Sequence, residues 1–368
     1  MPESHALSDV SAAMATGDYA AGVNTATLPK GFVSLRVKDV VRETQDAISI
    51  VLDIPESSSR HFRYQSGQFL TLLVCVDGRQ HRRCYSMSST PGTGEDLRIT
   101  IKRDRDGVVS NWLNDTAAPG NDIHALPPEG RFVLKGTDRD VVAFAGGSGI
   151  TPVFSLLRSA LISSTRNTRL FYANRDRDSV IFDEALASLN DSHSGRFVLH
   201  HHLDAERGFV TPAHVDAFVA GASDSDAAEY YICGPGPFME IVQTALRAAG
   251  VPSDRVHLEH FEVAEMPVDR SAAGGDAVTE EVTIELQKRK ITVPYSQGDT
   301  LLQTARMAGL QAPSSCEVGS CGTCMARLMQ GTAQMINNDA LEDDEVEDGW
   351  VLTCQSLPTS RTVRVVYE

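Results

Sequence analysis

Three cysteines, Cys316, Cys321 and Cys324, share one short glycine-bearing loop, SCEVGSCGTC, and a fourth, Cys354, follows after a gap of 29 residues. No other feature constrains the chain as much as this C-x4-C-x2-C…C spacing. It is the plant-type spacing for a 2Fe-2S cluster, whose two irons take four thiolates. Three thiolates come from one loop and the fourth arrives from a distant segment. Gly319 and Gly322 suit such a loop, because glycine takes positive φ at little cost where backbone wraps closely around an inorganic core. Structural zinc presents C-x2-C or Cys/His pairs at other spacings, so the four-residue first gap fits it poorly, and disulfides fit less well still. The other cysteines, Cys75, Cys84 and Cys233, lie far apart in apolar stretches, which argues against a disulfide scaffold.

A chain of 368 residues is long for one domain, and its texture changes along its length. Residues 1–30 are small and polar, and disorder is expected there. Residues 31–137 carry short strand-like runs, FVSLRVKDVV, AISIVLDI, QFLTLLVCV, LRITIKR and RFVLKG, separated by turn residues. Helical stretches are scarce, so this block predicts an antiparallel β-barrel. Over 138–263, strands (VVAFAGG, RLFYAN, RFVLHHH, EYYICGP) alternate with helices (SGITPVFSLLRSALIS, IFDEALASL, FMEIVQTALRAAG). That alternation predicts an α/β domain with a parallel sheet. Residues 264–277, rich in Gly, Ala, Pro and charge, read as a linker. Residues 278–368 form a small domain around the cysteines, with a hairpin over VTIELQKRKITVPY, a helix over LLQTARMAG and a closing strand RTVRVVY.

The formal net charge of −16 argues against nucleic acid as a partner, since such binding needs basic patches to displace counterions. The N-terminus has no basic n-region and no apolar h-region, and no apolar run approaches the ~20 residues of a membrane helix. A cytoplasmic location, without membrane association, is the expectation. The negative charge is uneven. Asp339, Glu342, Asp343, Asp344, Glu345, Glu347 and Asp348 fall within ten positions, and no Lys or Arg occurs over 328–360. Such a run reads either as a solvated helix or turn or, beside a redox centre, as a face that steers a basic partner protein.

Two further constellations carry chemistry. In Arg83-Cys84-Tyr85-Ser86, alternate residues of one strand share a face. Arg83 can hold a pyrophosphate bidentately, Tyr85 can lie against a flat aromatic cofactor, and the Ser86 hydroxyl can bond a ring nitrogen. Downstream, Gly107-Val108-Val109-Ser110 opens a helix whose N-terminal N–H groups make an anion site. In the α/β block, Ala145-Gly146-Gly147-Ser148-Gly149-Ile150-Thr151-Pro152 follows the first strand, and Cys233-Gly234-Pro235-Gly236-Pro237 ends the last. Both glycine turns sit at carboxyl ends of strands, where open α/β sheets bind ligands. His200-His201-His202 offers no metal site, because consecutive strand residues point to opposite faces.

Taken together, RCYSMSSTPG, GVVSNWLND, AGGSGITP, YICGPGPFM and CEVGSCGTC resemble the ferredoxin–NADP⁺ reductase superfamily. With its C-terminal plant-type ferredoxin the chain looks like the three-domain reductases of bacterial oxygenases. The 3-ketosteroid 9α-hydroxylase reductases are the nearest likeness, and the phenylacetyl-CoA epoxidase and hybrid-cluster protein reductases share the architecture. The resemblance spans roughly residues 31–368 and implies an antiparallel FAD barrel, a parallel-sheet NAD domain and a β-grasp ferredoxin domain. It implies that Arg83 and Ser110, with the backbone of Val108 and Val109, hold the FAD pyrophosphate, and that Tyr85 stacks on the isoalloxazine with Ser86 facing N5. Gly146, Gly147, Gly149, Thr151 and Gly234 would line the nicotinamide-nucleotide site, and Cys233 would leave room at the nicotinamide. Glu259 matches an acid near that ring, and Phe261 an aromatic that covers the flavin. Cys316, Cys321, Cys324 and Cys354 would hold the cluster. Selectivity is open: a 2′-phosphate wants Arg or Lys, a free ribose diol an acid, and Asn174-Arg175-Asp176-Arg177-Asp178 supplies both; the 3-ketosteroid likeness favours NADH, while phenylacetyl-CoA relatives with a similar N-R pair can favour NADPH.

Hydride arrives as two electrons and a cluster accepts one, so the flavin must lie between them. The implied order is NAD(P)H, FAD, 2Fe-2S cluster, then an external oxygenase of Rieske or diiron type, with the reductase a monomer. A non-oxygenase acceptor such as a hybrid-cluster protein stays open. The rival from another class is an electron carrier or redox sensor with vestigial FAD and NAD domains. Intact Arg83, Tyr85, Ser86 and the 146–152 turn argue against it.

Overall fold

The computed structural model describes residues 28, 31–220, 228–261, 279–310, 312–314, 319, 322–338 and 340–367. In the first block lie β1 (Val33–Thr44), β2 (Ala47–Asp53), β3 (Phe69–Val76), β4 (Arg79–Ser86), β5 (Leu97–Lys102), α1 (Val108–Thr116) and β6 (Asp122–Ala125). The strands pair antiparallel in the order β4-β3-β6-β1-β2-β5. A bridge between Met87 and Ile99 joins the two ends and closes the barrel. Leu35, Ile50, Leu70, Leu72, Ile99 and Ile101 fill its interior, as inward positions of a small barrel must.

One expected strand does not form. Residues 131–136, the RFVLKG run, pair with no neighbour along a ladder. Phe132 instead leaves the barrel and is buried in the core of the following sheet, edge-on to Tyr231 at 5.6 Å. The Tyr231 hydroxyl accepts a hydrogen bond from the Lys135 backbone N–H at 2.9 Å. These apolar residues serve a seam between blocks, and their alternation is the same as that of a strand. The sixth strand is β6, whose sequence DIHA is too short to announce itself.

The second block contains β7 (Asp140–Gly146), α2 (Ile150–Ser163), β8 (Thr168–Asn174), α3 (Asp183–Ser192), β9 (Phe197–Leu203), α4 (Asp204–Arg207), α5 (Pro212–Ala220), β10 (Ala228–Cys233), α6 (Gly236–Ala248) and β11 (Val256–Glu259). Its strands are all parallel, in the order β11-β10-β7-β8-β9. Alternate residues of each strand serve opposite faces. Val141, Ala143 and Tyr231 pack with α2 and α3, while Val142, Phe144 and Phe171 pack with α5 and α6. The helices α4 and α5 and the edge strand β11 add to the elements that the sequence predicts. Helix α2 also reaches back to the barrel: Ser155 Oγ donates to the Ser89 carbonyl at 2.6 Å, and Arg158 pairs with Glu95 at 2.9 Å.

The third block holds β12 (Glu281–Leu286), β13 (Arg289–Pro294), α7 (Leu301–Met307), β14 (Met325–Gln330), β15 (Ala333–Met335), α8 (Asp343–Glu347), β16 (Trp350–Leu352), β17 (Ser356–Pro358) and β18 (Thr362–Tyr367). The hairpin β12–β13, the helix α7 and the closing strand β18 stand where the sequence predicts them. The sheet order is β13-β12-β18-β14-β16, with β12 and β18 parallel and the ribbon β15–β17 alongside. This is the β-grasp arrangement. Of the expected N-terminal tail, Leu28 packs with Phe32 against Leu73 and Cys75. The rest of that tail, apart from Leu28, falls outside the described residues up to residue 30, and so does the expected linker 264–277.

In the second block, the turn after β7 and the turn after β10 meet without room for side chains. A Cβ at Gly149 would stand 2.1 Å from the Cys233 carbonyl oxygen. Gly149→Ala should therefore cost this domain about 1–3 kcal/mol through overpacking. Gly136→Ala, whose Cβ would meet open space, should stay within about 0.5 kcal/mol, and calorimetry of the two variants compares them.

Candidate active site

The last turn of the barrel ladder builds one wall of a cleft. Arg83 and Tyr85 stand two residues apart on β4 and line it together, with Thr100 and Lys102 of β5 and Val109 and Ser110 of α1 beside them. Ser148 and Thr151, at the start of α2, face it from the sheet, and Phe261 closes it from the segment after β11. A single cavity thus gathers expected flavin residues from the barrel and expected nucleotide residues from the sheet. Burial pushes the Tyr85 phenol far up, so its hydroxyl stays neutral.

Three observations test whether this set fits a flavin dinucleotide. Ser86 Oγ is buried and has no hydrogen-bond partner among the described residues. Such an orphan costs about 1–3 kcal/mol, which a ring nitrogen in the cleft would relieve. Helix α1 starts at Gly107 with no side-chain cap, leaving first-turn N–H groups available to an anion. The Arg83 guanidinium, tethered by one bond from Nη1 to the Arg82 carbonyl at 2.8 Å, supplies positive charge on the same side. The residues fit FAD.

Two expected contributors sit differently. Ser110 Oγ accepts from the Asp104 N–H at 3.1 Å and donates to the Gly107 carbonyl at 3.3 Å, so its hydroxyl already shapes the turn. Val108 is 50% exposed and can contribute only backbone.

At the sheet's carboxyl edge, Cys233 and Glu259 are partners in register on β10 and β11, and both are buried. Burial first, and the nearby Glu259 second, push the Cys233 thiol up. It is a small neutral side chain there, not a thiolate. Gly146 and Gly234 complete the contact between the two turns: a Cβ at Gly234 would lie 3.0 Å from the Gly146 nitrogen. The two turns thus meet backbone to backbone, and from the first of them Ser148 and Thr151 reach the cleft while Gly146, Gly147, Gly149, Cys233 and Gly234 do not line it.

Arg175 and Arg177 lie at the rim beyond β8, each paired with an acid. Arg175 reaches Asp46 of the barrel at 3.2 Å and Arg177 reaches Asp183 at 2.8 Å. Asp46 also faces Lys102 at 3.9 Å. Burial lowers the Lys102 ammonium's affinity for its proton, and Asp46 offsets part of that. Lys102, Thr100 and Asp46 belong to no motif. The signal available in the sequence is the period-2 register of β5, which puts Thr100 and Lys102 on one face.

In the third block, Cys324 and Cys354 are buried in the domain core. Met325 and Leu352 pair across β14 and β16, so the two cysteines flank neighbouring strand ends. Thr353 ties them further: its N–H and its hydroxyl both donate to the Cys324 carbonyl, at 3.2 and 2.8 Å. Gly319 and Gly322 take φ of 93° and 71°, the left-handed conformation that the loop calls for. Cys316 and Cys321 lie outside the described residues.

The acidic run divides. Glu342, Asp343, Asp344, Glu347 and Asp348 are exposed, Asp339 lies outside the described residues, and Glu345 is gripped by Arg131 of the barrel segment at 2.9 Å. The three histidines alternate as a strand requires. His200 and His202 stack on Phe171, and His201 faces Tyr172 on the other side.

Comparison with known proteins agrees over most of the chain. Residues 34–134 match the oxidoreductase FAD-binding domain, 144–244 the oxidoreductase NAD-binding domain, and 284–359 the 2Fe-2S iron-sulfur cluster binding domain. The chain is 42% identical to the ferredoxin reductase component of 3-ketosteroid-9-alpha-monooxygenase from Mycolicibacterium smegmatis, over 91% of this chain and 97% of that protein. It is 31% identical to one of the subunits of 1,2-phenylacetyl-CoA epoxidase from Escherichia coli, over 92% of this chain and 98% of that protein. Among solved structures it is similar to phthalate dioxygenase reductase, with a TM-score of 0.59 and 25% identity over 92% of this chain and 98% of that one. The chain belongs to the family of oxygenase reductase components that join FAD-binding, NAD-binding and 2Fe-2S domains on one polypeptide.

Proposed function

We propose that this reductase takes hydride from NADH onto FAD, passes electrons singly through its 2Fe-2S cluster, and delivers them to a separate Rieske-type oxygenase acting on a steroid or similar hydrophobic compound. The observation that carries this reading is the shared cleft, with Tyr85 and Ser86 on one side and Thr151 on the other. The full-length similarity to steroid monooxygenase reductases supports the choice of acceptor. No helix among the described residues is long and apolar enough to cross a membrane.

FAD, when bound, supplies the conversion of a two-electron donor to one-electron steps, and the cluster supplies the one-electron outlet. The protein's own residues set the conditions. Arg83 and the start of α1 hold the phosphates by charge and by N–H donors. Tyr85 would offer a ring face, and Ser86 would donate its orphan hydroxyl to a ring nitrogen of the bound flavin. Phe261, 39% exposed, lines the cleft and would cover the bound flavin against water. Gly146, Gly147, Gly149 and Gly234 would admit the nucleotide's phosphates, Thr151 and Cys233 would leave space for its ring, and Glu259 would lie near that ring. Arg175 and Arg177 are both engaged by carboxylates, which favours NADH over NADPH. Cys316, Cys321, Cys324 and Cys354 ligate the cluster.

In stopped flow with NADH, flavin absorbance should bleach before cluster absorbance. Cluster reduction by NADH in flavin-free protein overturns the order. Ser86→Ala should retain FAD yet slow flavin reduction about tenfold or more. Cys354→Ser should lose the cluster's visible absorbance and its cytochrome c reduction while keeping ferricyanide reduction at the flavin. Substrate turnover reconstituted with a ketosteroid oxygenase, and not with a phenylacetyl-CoA epoxidase component, tests the acceptor.

A further inference from the structure

Among the described residues, hydrogen bonds join the barrel and the cluster domain at two points, both on the short segment 129–131. The first point lies two pairings from Ser86 of the flavin cleft. Ser86 pairs with Phe69 across β4 and β3, and Phe69 bridges Glu129 on its other side. Two strand spacings, about 10 Å of backbone, therefore separate Ser86 from Glu129. The Glu129 carboxylate accepts from the Thr323 hydroxyl at 2.9 Å, and Thr323 immediately precedes the buried ligand residue Cys324. The second point is Arg131. Its two terminal nitrogens bond the two oxygens of Glu345, each at 2.9 Å, and Nη1 also donates to the Ala340 carbonyl at 2.9 Å. The guanidinium holds the Glu345 carboxyl below the usual carboxylate range.

We propose that Arg131 is a positioning residue for electron transfer from flavin to cluster: its bidentate grip on Glu345, with the Glu129–Thr323 bond, docks the Cys324 loop against the flavin edge of the barrel. The step it serves moves one electron from reduced flavin to one ferric iron of the cluster, and no bond forms or breaks. Planar two-point recognition fixes orientation as well as distance, which a lysine or a lone hydrogen bond does not. The side chains are 49% and 23% exposed, so water and salt weaken the pair, and the dock is reversible. That suits a cluster that also has to meet an outside acceptor. One member of the acidic run is thereby spent inside the molecule.

The dock rests on the function proposed above, and one experiment separates the two. The full-length holoprotein is mixed with NADH in stopped flow, as wild type, Arg131→Ala, Glu345→Gln and the swap Arg131→Glu/Glu345→Arg. Flavin bleaching should keep its wild-type rate in all four. Cluster bleaching should slow about tenfold or more in the two single variants and recover in part in the swap. Hydrogen exchange of residues 340–348, read on the same proteins without NADH, should quicken in the single variants. A cluster-reduction rate in Arg131→Ala within twofold of wild type, or unchanged exchange, overturns the dock alone. Failure of NADH to bleach the wild-type flavin overturns the function beneath it.

Discussion

The molecule depends on holding one barrel edge against one sheet edge. A hydride moves only between atoms in near contact, about 3–3.5 Å apart, so the nucleotide turns cannot drift from the flavin cleft. Phe132 answers this requirement by leaving its own domain and burying its ring beside Tyr231. The Ser155–Ser89 bond and the Arg158–Glu95 pair fix α2 to the barrel from the other side. An apolar anchor sets the distance and the polar contacts set the rotation.

The cluster domain is attached more lightly. It meets the barrel through partly exposed charged and polar side chains, where the barrel and sheet share a buried ring. The difference follows from the chemistry: hydride needs atomic contact, while an electron tolerates a gap. A strong apolar seam suits the first junction, and a weak polar one suits a domain that serves two partners.

Much of this was legible in the sequence because the motifs encode backbone, which cannot be disguised. Glycines at 146, 147, 149 and 234 mark turns with no room for Cβ, and those turns do meet. Arg83, Tyr85 and Ser86 share a short strand, and all three line the cleft, although alternation alone groups only Arg83 with Tyr85. The parallel sheet followed from strand–helix alternation over long segments. The failures share one cause: a local pattern shows what a segment offers and is silent on which domain receives it. RFVLKG alternates like a strand and serves as a seam. Asp46, in a turn between two strands, carries no motif and still pairs with Lys102 and Arg175 from opposite walls. The acidic run reads as one surface, and only the Arg131 side chain beside it sets Glu345 apart.

That three-residue charge bridge has a consequence for how such an enzyme could change its diet of cofactor. In the function proposed above Arg175 helps to tell nucleotides apart, and it is also a strut from the sheet to the barrel turn at Asp46. Evolution cannot retune the one property without loosening the other. A lineage that exchanges one nicotinamide nucleotide for the other at this rim has first to find a second brace across the cleft.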